Sequence, residues 1–150
     1  MGSRYIKAKK LTLSQQVYGL RSIYPDSQCK QNRNQLEWIG KLVPTPLSGA
    51  YIVNVLYKQG FNPRTYVREP QLAVLPKKKL PHVYSQAEQR LCLYYPSSRS
   101  QWNETMSIAK TIVPWASEWL LFYELWLATG EWLGGGIHLE TEKEDPAVLT

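Results

Sequence analysis

The sequence predicts an α+β domain. Three features carry that reading: an N-terminal segment of helical period, a middle third with two-residue alternation and short turns, and an aromatic-rich helical segment in the last third.

The first element is a helix over 13–24. Leu13, Val17, Leu20 and Tyr24 share one helical face, and Thr12 with Gln15 forms a capping-box pair. Pro25 stops the helix at about Tyr24. Asp26–Asn34 is polar and reads as a linker. Leu36, Trp38, Gly40 and Leu42 alternate with Glu37, Ile39 and Lys41, which predicts a strand. Pro44–Gly49 is turn chemistry, and Tyr51–Tyr57 is β-branched and aromatic, a second strand. After the Gly60–Pro63 turn come a third strand, Arg64–Arg68, and a short fourth, Gln71–Leu75. Short connections make this a four-stranded antiparallel meander.

Pro76–Ser100 shows no period, holds His82 and Cys92, and reads as an irregular segment. Leu91-Cys92-Leu93-Tyr94-Tyr95 within it is apolar enough to pack on the domain. Asn103 can cap a helix through Met106, Ile108, Ala109 and Ile112, which Pro114 breaks or kinks. Trp115–Thr129 is a second helical segment ending at Gly130, a natural left-handed terminator. Its aromatic residues cover most of its circumference, so most of that stripe is expected in the core.

At 150 residues, 43% hydrophobic and 20% charged, the chain fits one domain over 1–150. Its ordered core is expected at about 13–133, followed by a Gly-rich and then acidic tail over 134–150. No apolar run is long enough for a membrane span, and no signal peptide opens the chain. Two Cys and two His do not make a zinc site, and no P-loop, GxGxxG, GxSxG or HExxH occurs. Cys29 and Cys92 could form one disulfide; without an export signal, two reduced thiols in the cytoplasm are the favoured reading. The net charge is +6, split as +12 over residues 1–100 and −6 over 101–150. Such a basic front suggests a nucleic-acid binder, but no nucleic-acid motif is present and only Lys77–Lys79 are clustered. A dipolar surface that orients protein partners, with the cysteine segment on its positive side, is the better expectation.

The element order of helix, meander, cysteine-bearing irregular segment and helix resembles the ubiquitin-conjugating enzyme (UBC-like) fold. The family places a His-Pro-Asn tripeptide before an apolar-flanked cysteine; here His82-Val83-Tyr84 stands in that place and Leu91-Cys92-Leu93 follows. Tyr66 and Pro70 match the exit from the third strand, and Gln101-Trp102 with Ser107–Lys110 match the approach to the following helix. Residues 111–120, 123–132 and Gly134-Gly135-Gly136-Ile137-His138 resemble the C-terminal signature of conjugating-enzyme-like proteins of bacterial CBASS (cyclic-oligonucleotide-based antiphage signalling) operons. With no fused adenylating domain in 150 residues, the likeness is to the stand-alone, short type II form. The resemblance implies a thioester carrier that conjugates or primes the C-terminus of the operon's cGAS-like nucleotidyltransferase. Attack on a free carboxylate needs activation, so either a separate activating enzyme supplies the acyl group or the partner complex changes the requirement; no cofactor or metal is expected. A catalytically silent binding module that positions the nucleotidyltransferase is the alternative.

A thioester carrier needs a thiol that attacks an activated acyl group and then leaves, and Cys suits both steps. Cys92 is therefore the candidate nucleophile, set against a buried structural cysteine; Arg90 and Lys77–Lys79 are basic neighbours that would favour its thiolate. The family buttresses this loop with its tripeptide histidine, the expected role of His82, with acid–base work the lesser option. The family's tripeptide Asn serves the oxyanion; Tyr84 stands there and is a candidate donor with different reach. Cys29 is expected to be a thiol without function. His138 could approach the cysteine if the tail folds back, and Gly134–Gly136 reads as a hinge or a place of close backbone approach.

Overall fold

The computed structural model describes residues 8–94 and 102–134. It comprises α1 (Leu13–Ile23), β1 (Gln28–Gln31), β2 (Gln35–Leu42), β3 (Tyr51–Lys58), β4 (Arg64–Glu69), β5 (Val83–Ser85), β6 (Arg90–Leu91) and α2 (Ile112–Thr129). The six strands form one antiparallel sheet in the order β1-β2-β3-β4-β6-β5. This is the α+β, UBC-like arrangement: N-terminal helix, antiparallel sheet, C-terminal helix.

Local chemistry accounts for α1. The Thr12 Oγ1 accepts from Gln15 N at 3.1 Å and the Gln15 Oε1 accepts from Thr12 N at 2.8 Å, so the capping box is closed on both sides. At the other end Tyr24 N still donates to Leu20 O, and the chain turns at Pro25. One buried polar residue fixes where α1 sits. Gln16, 1% exposed, donates to Met106 O at 2.8 Å and accepts from Ile108 N at 2.9 Å, tying α1 to the segment that leads into α2.

Four sequence expectations require correction. Asp26–Asn34 is not a linker: Gln28–Gln31 is edge strand β1, paired with β2 (Cys29↔Trp38), and it turns only Cys29 inward. Gln71–Leu75 is not a strand. The open edge of β4 is taken by β6, with Tyr66↔Arg90 and Thr65↔Leu91 paired. The 71–75 backbone is satisfied by side chains instead, Leu72 N donating to Gln89 Oε1 and Ala73 N to Tyr123 OH. Pro76–Ser100 is accordingly less irregular than its sequence: it supplies β5 and β6, the last two strands of the sheet.

The fourth correction concerns the C-terminal helices, of which the described residues contain one. Residues 103–111 form turns; Asn103 Oδ1 accepts from Thr105 N at 2.9 Å and caps a turn, not a helix. Pro114 does not break anything. It is the third residue of α2, in the first turn, where backbone N–H groups have no intrahelical acceptor. The far end is as expected: Gly130 has φ +80° and its N–H closes on Trp126 O at 2.7 Å. Lys78 Nζ donates to the Gly130 carbonyl at 3.0 Å, a cation at the negative end of the helix.

The core lies between the sheet and the two helices. Leu20, Trp38, Val53, Val55, Ile112, Ala116 and Leu120 are almost wholly excluded from water. Trp119, Tyr123 and Trp126 are buried too, so much of the aromatic stripe of α2 is core, with Trp115 and Phe122 half-buried. Among the described residues no helix is long and apolar enough to cross a membrane.

Candidate functional site

The site forms where β5 and β6 meet α2. β5 and β6 make a short hairpin, Val83↔Leu91 and Ser85↔Arg90, with a register shift between them. The turn joining them is locked by Gln89, at φ +53° and 5% exposed. Its Nε2 donates to Val67 O at 2.9 Å and to Pro70 O at 3.2 Å while its Oε1 accepts from Leu72 N, so one side chain binds the hairpin to β4 and its exit. Nothing local in the sequence marks Gln89 for this work; its partners lie 17 to 22 residues away.

Cys92 follows directly after β6 and is 6% exposed. Its N–H donates to His82 O at 3.0 Å, which continues the hairpin beyond its last strand residue. The same carbonyl accepts from the indole Nε1 of Trp119 at 2.9 Å. His82 has φ +52°, and its ring packs on Trp132 with centroids 4.9 Å apart. Trp132 in turn contacts Trp119 and Phe122. His82 therefore joins the cysteine segment to α2 through its backbone carbonyl and to Trp132 through its ring.

The thiol itself faces Tyr84 and Tyr94. Cys92 Sγ donates to Tyr94 O at 3.2 Å, and the Tyr84 hydroxyl donates to the same carbonyl at 3.4 Å, so thiol and phenol meet on one oxygen. Burial first, then the neighbouring Cys92, push both tyrosine hydroxyls well above the ordinary value of 10, so both stay protonated donors at neutral pH. The Arg90 guanidinium lies over the Tyr84 ring at 4.6 Å and opposes those shifts. Tyr94 is braced edge-on by Trp115 of α2 at 5.9 Å.

The structure thus brings His82, Tyr84 and Cys92 together. The Tyr84 hydroxyl shares the Tyr94 carbonyl with the thiol, which places it beside the sulfur. Tyr94 and Trp119 complete the surroundings and escaped the sequence reading; alternation from Cys92 puts Tyr94 two residues on, the one signal that could have found it. Cys29 lies far off in the sheet order on β1, buried, its thiol raised by burial and lowered by Arg21; neither cysteine is in a disulfide. Of Lys77–Lys79, Lys78 is engaged at the end of α2. Gly134 does sit at a close approach, with room for no Cβ beside Phe122 and Trp132. Gly135, Gly136, His138 and the acidic tail lie outside the described residues. Among the described residues no three His, Cys, Asp or Glu gather where they could hold a metal ion.

No curated protein matches the chain significantly. A match to the family described as Type II CBASS E2 protein (E2-CBASS) spans residues 16–139, from α1 through the cysteine hairpin and α2, and the chain belongs to that family.

Proposed function

We propose that this E2-like protein is a thioester carrier in antiphage defence, acting in the cytoplasm, with Cys92 as its nucleophile. The observation that carries the reading is the thiol at the end of the β5–β6 hairpin, meeting the Tyr84 hydroxyl on the Tyr94 carbonyl and backed by the His82–Trp119 bond. In the first step the Cys92 thiolate attacks the carbonyl carbon of an activated acyl group. The bond to the activating group breaks, the S–C(O) bond forms, and the thiol proton leaves to solvent. In the second step an acceptor amine attacks the thioester carbon, an amide forms, and the Cys92 sulfur departs as thiolate. Tyr84 donates a hydrogen bond to that sulfur when it attacks and when it leaves. His82 positions the segment through its carbonyl.

The acyl group of this proposal is the C-terminus of the operon's cGAS-like nucleotidyltransferase. A free carboxylate does not acylate a thiol unaided, so either a separate activating enzyme supplies the acyl group or the complex with the nucleotidyltransferase changes that requirement. A second reading, a catalytically silent module that binds and positions the nucleotidyltransferase, is favoured by the low exposure of Cys92.

Co-expression with the operon's other proteins, followed by intact mass spectrometry of wild type and Cys92→Ala, tests both. The carrier reading expects an adduct on the wild type that hydroxylamine releases and that Cys92→Ala lacks. Adduct formation by Cys92→Ala would overturn the choice of nucleophile. A complex without any adduct would favour the silent module.

A further inference from the structure

A half-buried arginine is costly unless something answers its charge, and Arg90 is such a residue. Its Nε is buried and without a hydrogen-bond partner among the described residues. Among the described residues no carboxylate pairs with it. Its guanidinium instead lies over the Tyr84 ring, on β5, one strand over. Tyr84 and Tyr94 both feel its charge, and both also feel Cys92. The geometry agrees: the Tyr84 hydroxyl, whose ring lies under Arg90, and the Cys92 thiol both donate to Tyr94 O.

The thiol's own environment is suited to the neutral form. Cys92 donates to Tyr94 O, and a thiolate would have to face that carbonyl at about the same distance without a proton between them. Loss of the proton requires compensation. Among the described residues the titratable or charged groups seen around Cys92 are His82 in the segment before β5, Tyr84 on β5, and Tyr94 and Arg90 on its own stretch. α2 packs here through Trp115 and Trp119, both uncharged. Arg90 is the permanent cation in that set.

We propose that Arg90 is a positioning residue that supplies the counter-charge for the Cys92 thiolate, held beside it by stacking on Tyr84. It rests on Cys92 being the nucleophile. When the S–H bond breaks, the proton leaves to solvent, the electron pair stays on sulfur, and the Tyr84 hydroxyl and the guanidinium take over from the lost donation to Tyr94 O. The unsatisfied Nε–H of the resting state is the cost of a charge kept ready for the anion.

The test reads the thiol directly and needs no conjugation partner, so its failure is separate from failure of the carrier reading. The rate of alkylation of Cys92 by iodoacetamide is followed by peptide mass spectrometry across pH, which distinguishes it from Cys29. In Arg90→Gln the pH midpoint is expected to rise by about one unit, a roughly tenfold loss of thiolate on the acid side. Arg90→Lys is expected to recover most of the shift. Arg90→Met, whose stem keeps contact with the Tyr84 ring, is the second neutral variant should Arg90→Gln not fold. A midpoint unmoved in a folded neutral variant overturns the proposal. So does a midpoint that rises equally in Arg90→Lys, because then geometry and not charge is at work.

Discussion

The His82 carbonyl receives two donors, the Cys92 backbone N–H at 3.0 Å and the Trp119 indole N–H at 2.9 Å. One oxygen thus connects the cysteine segment to the C-terminal helix. Trp119→Phe keeps an aromatic ring but removes one donor. It is expected to lower stability by about 2 kcal/mol, combining a lost hydrogen bond with lost volume. Urea denaturation measures that cost. Cys92 should also alkylate faster at fixed pH, since its segment loses an anchor to α2.

Gln89 is the second anchor. Gln89→Leu is nearly isosteric yet leaves Leu72 N, Val67 O and Pro70 O short of a partner. The expected loss is about 2–3 kcal/mol in urea denaturation. Hydrogen exchange should show the damage first at Leu72 and Val67. A loss under half a kilocalorie, roughly the scale of a surface change, would mean the hairpin is held by its ladder alone.

Alkali is expected to destabilise the fold through its tyrosines. Burial raises the hydroxyls of Tyr24, Tyr51, Tyr57, Tyr84, Tyr94 and Tyr123 above the ordinary value of 10, and at Tyr51 the Glu124 carboxylate that accepts its hydrogen bond adds to the effect. A raised native value means the folded chain holds more protons than the unfolded one above that pH. Their contribution is therefore fully present below about pH 10 and is lost as pH rises through the native values. The check is a urea midpoint that falls in alkali, together with phenolate absorbance that appears later in the native than in the denatured protein.

The end of α2 is held by conformation and by charge. Gly130→Ala forces a Cβ into the left-handed region, 3.3 Å from Lys78 Nζ, and should cost about 1 kcal/mol. Lys78→Ala removes the cation from the last carbonyl and should cost about 0.5 kcal/mol. Thermal melts at low and high salt separate the two: salt should shrink the difference between Lys78→Ala and wild type and leave the Gly130→Ala effect unchanged.

Much of the architecture was legible because its causes are local. The Thr12–Gln15 box, the Pro25 stop, the alternation through Leu36–Leu42 and the Gly130 terminator each act within a few residues, and each appears where the spacing put it. Pro114 misled because a proline reads as a breaker unless the helix start is known, and the start at Ile112 is set by packing. β1 was illegible for a different reason. An edge strand that buries only Cys29 has no alternation to show, and only its pairing with β2 makes it a strand.

The candidate site divides the same way. The sequence by itself singled out Cys92, His82 and Tyr84, through the resemblance carried by their order and flanks, and the hairpin brings all three together. It could not rank the neighbours. Whether β4 pairs with 71–75 or with β6 depends on which long-range contact wins, and Gln89 and Tyr123 decide it by taking the 71–75 backbone donors for themselves. That choice carries Arg90 onto Tyr84 and Tyr94 beside the thiol. Period and capping are properties of neighbours along the chain. The electrostatic surroundings of a sulfur belong to neighbours in space, and only the closed sheet defines them.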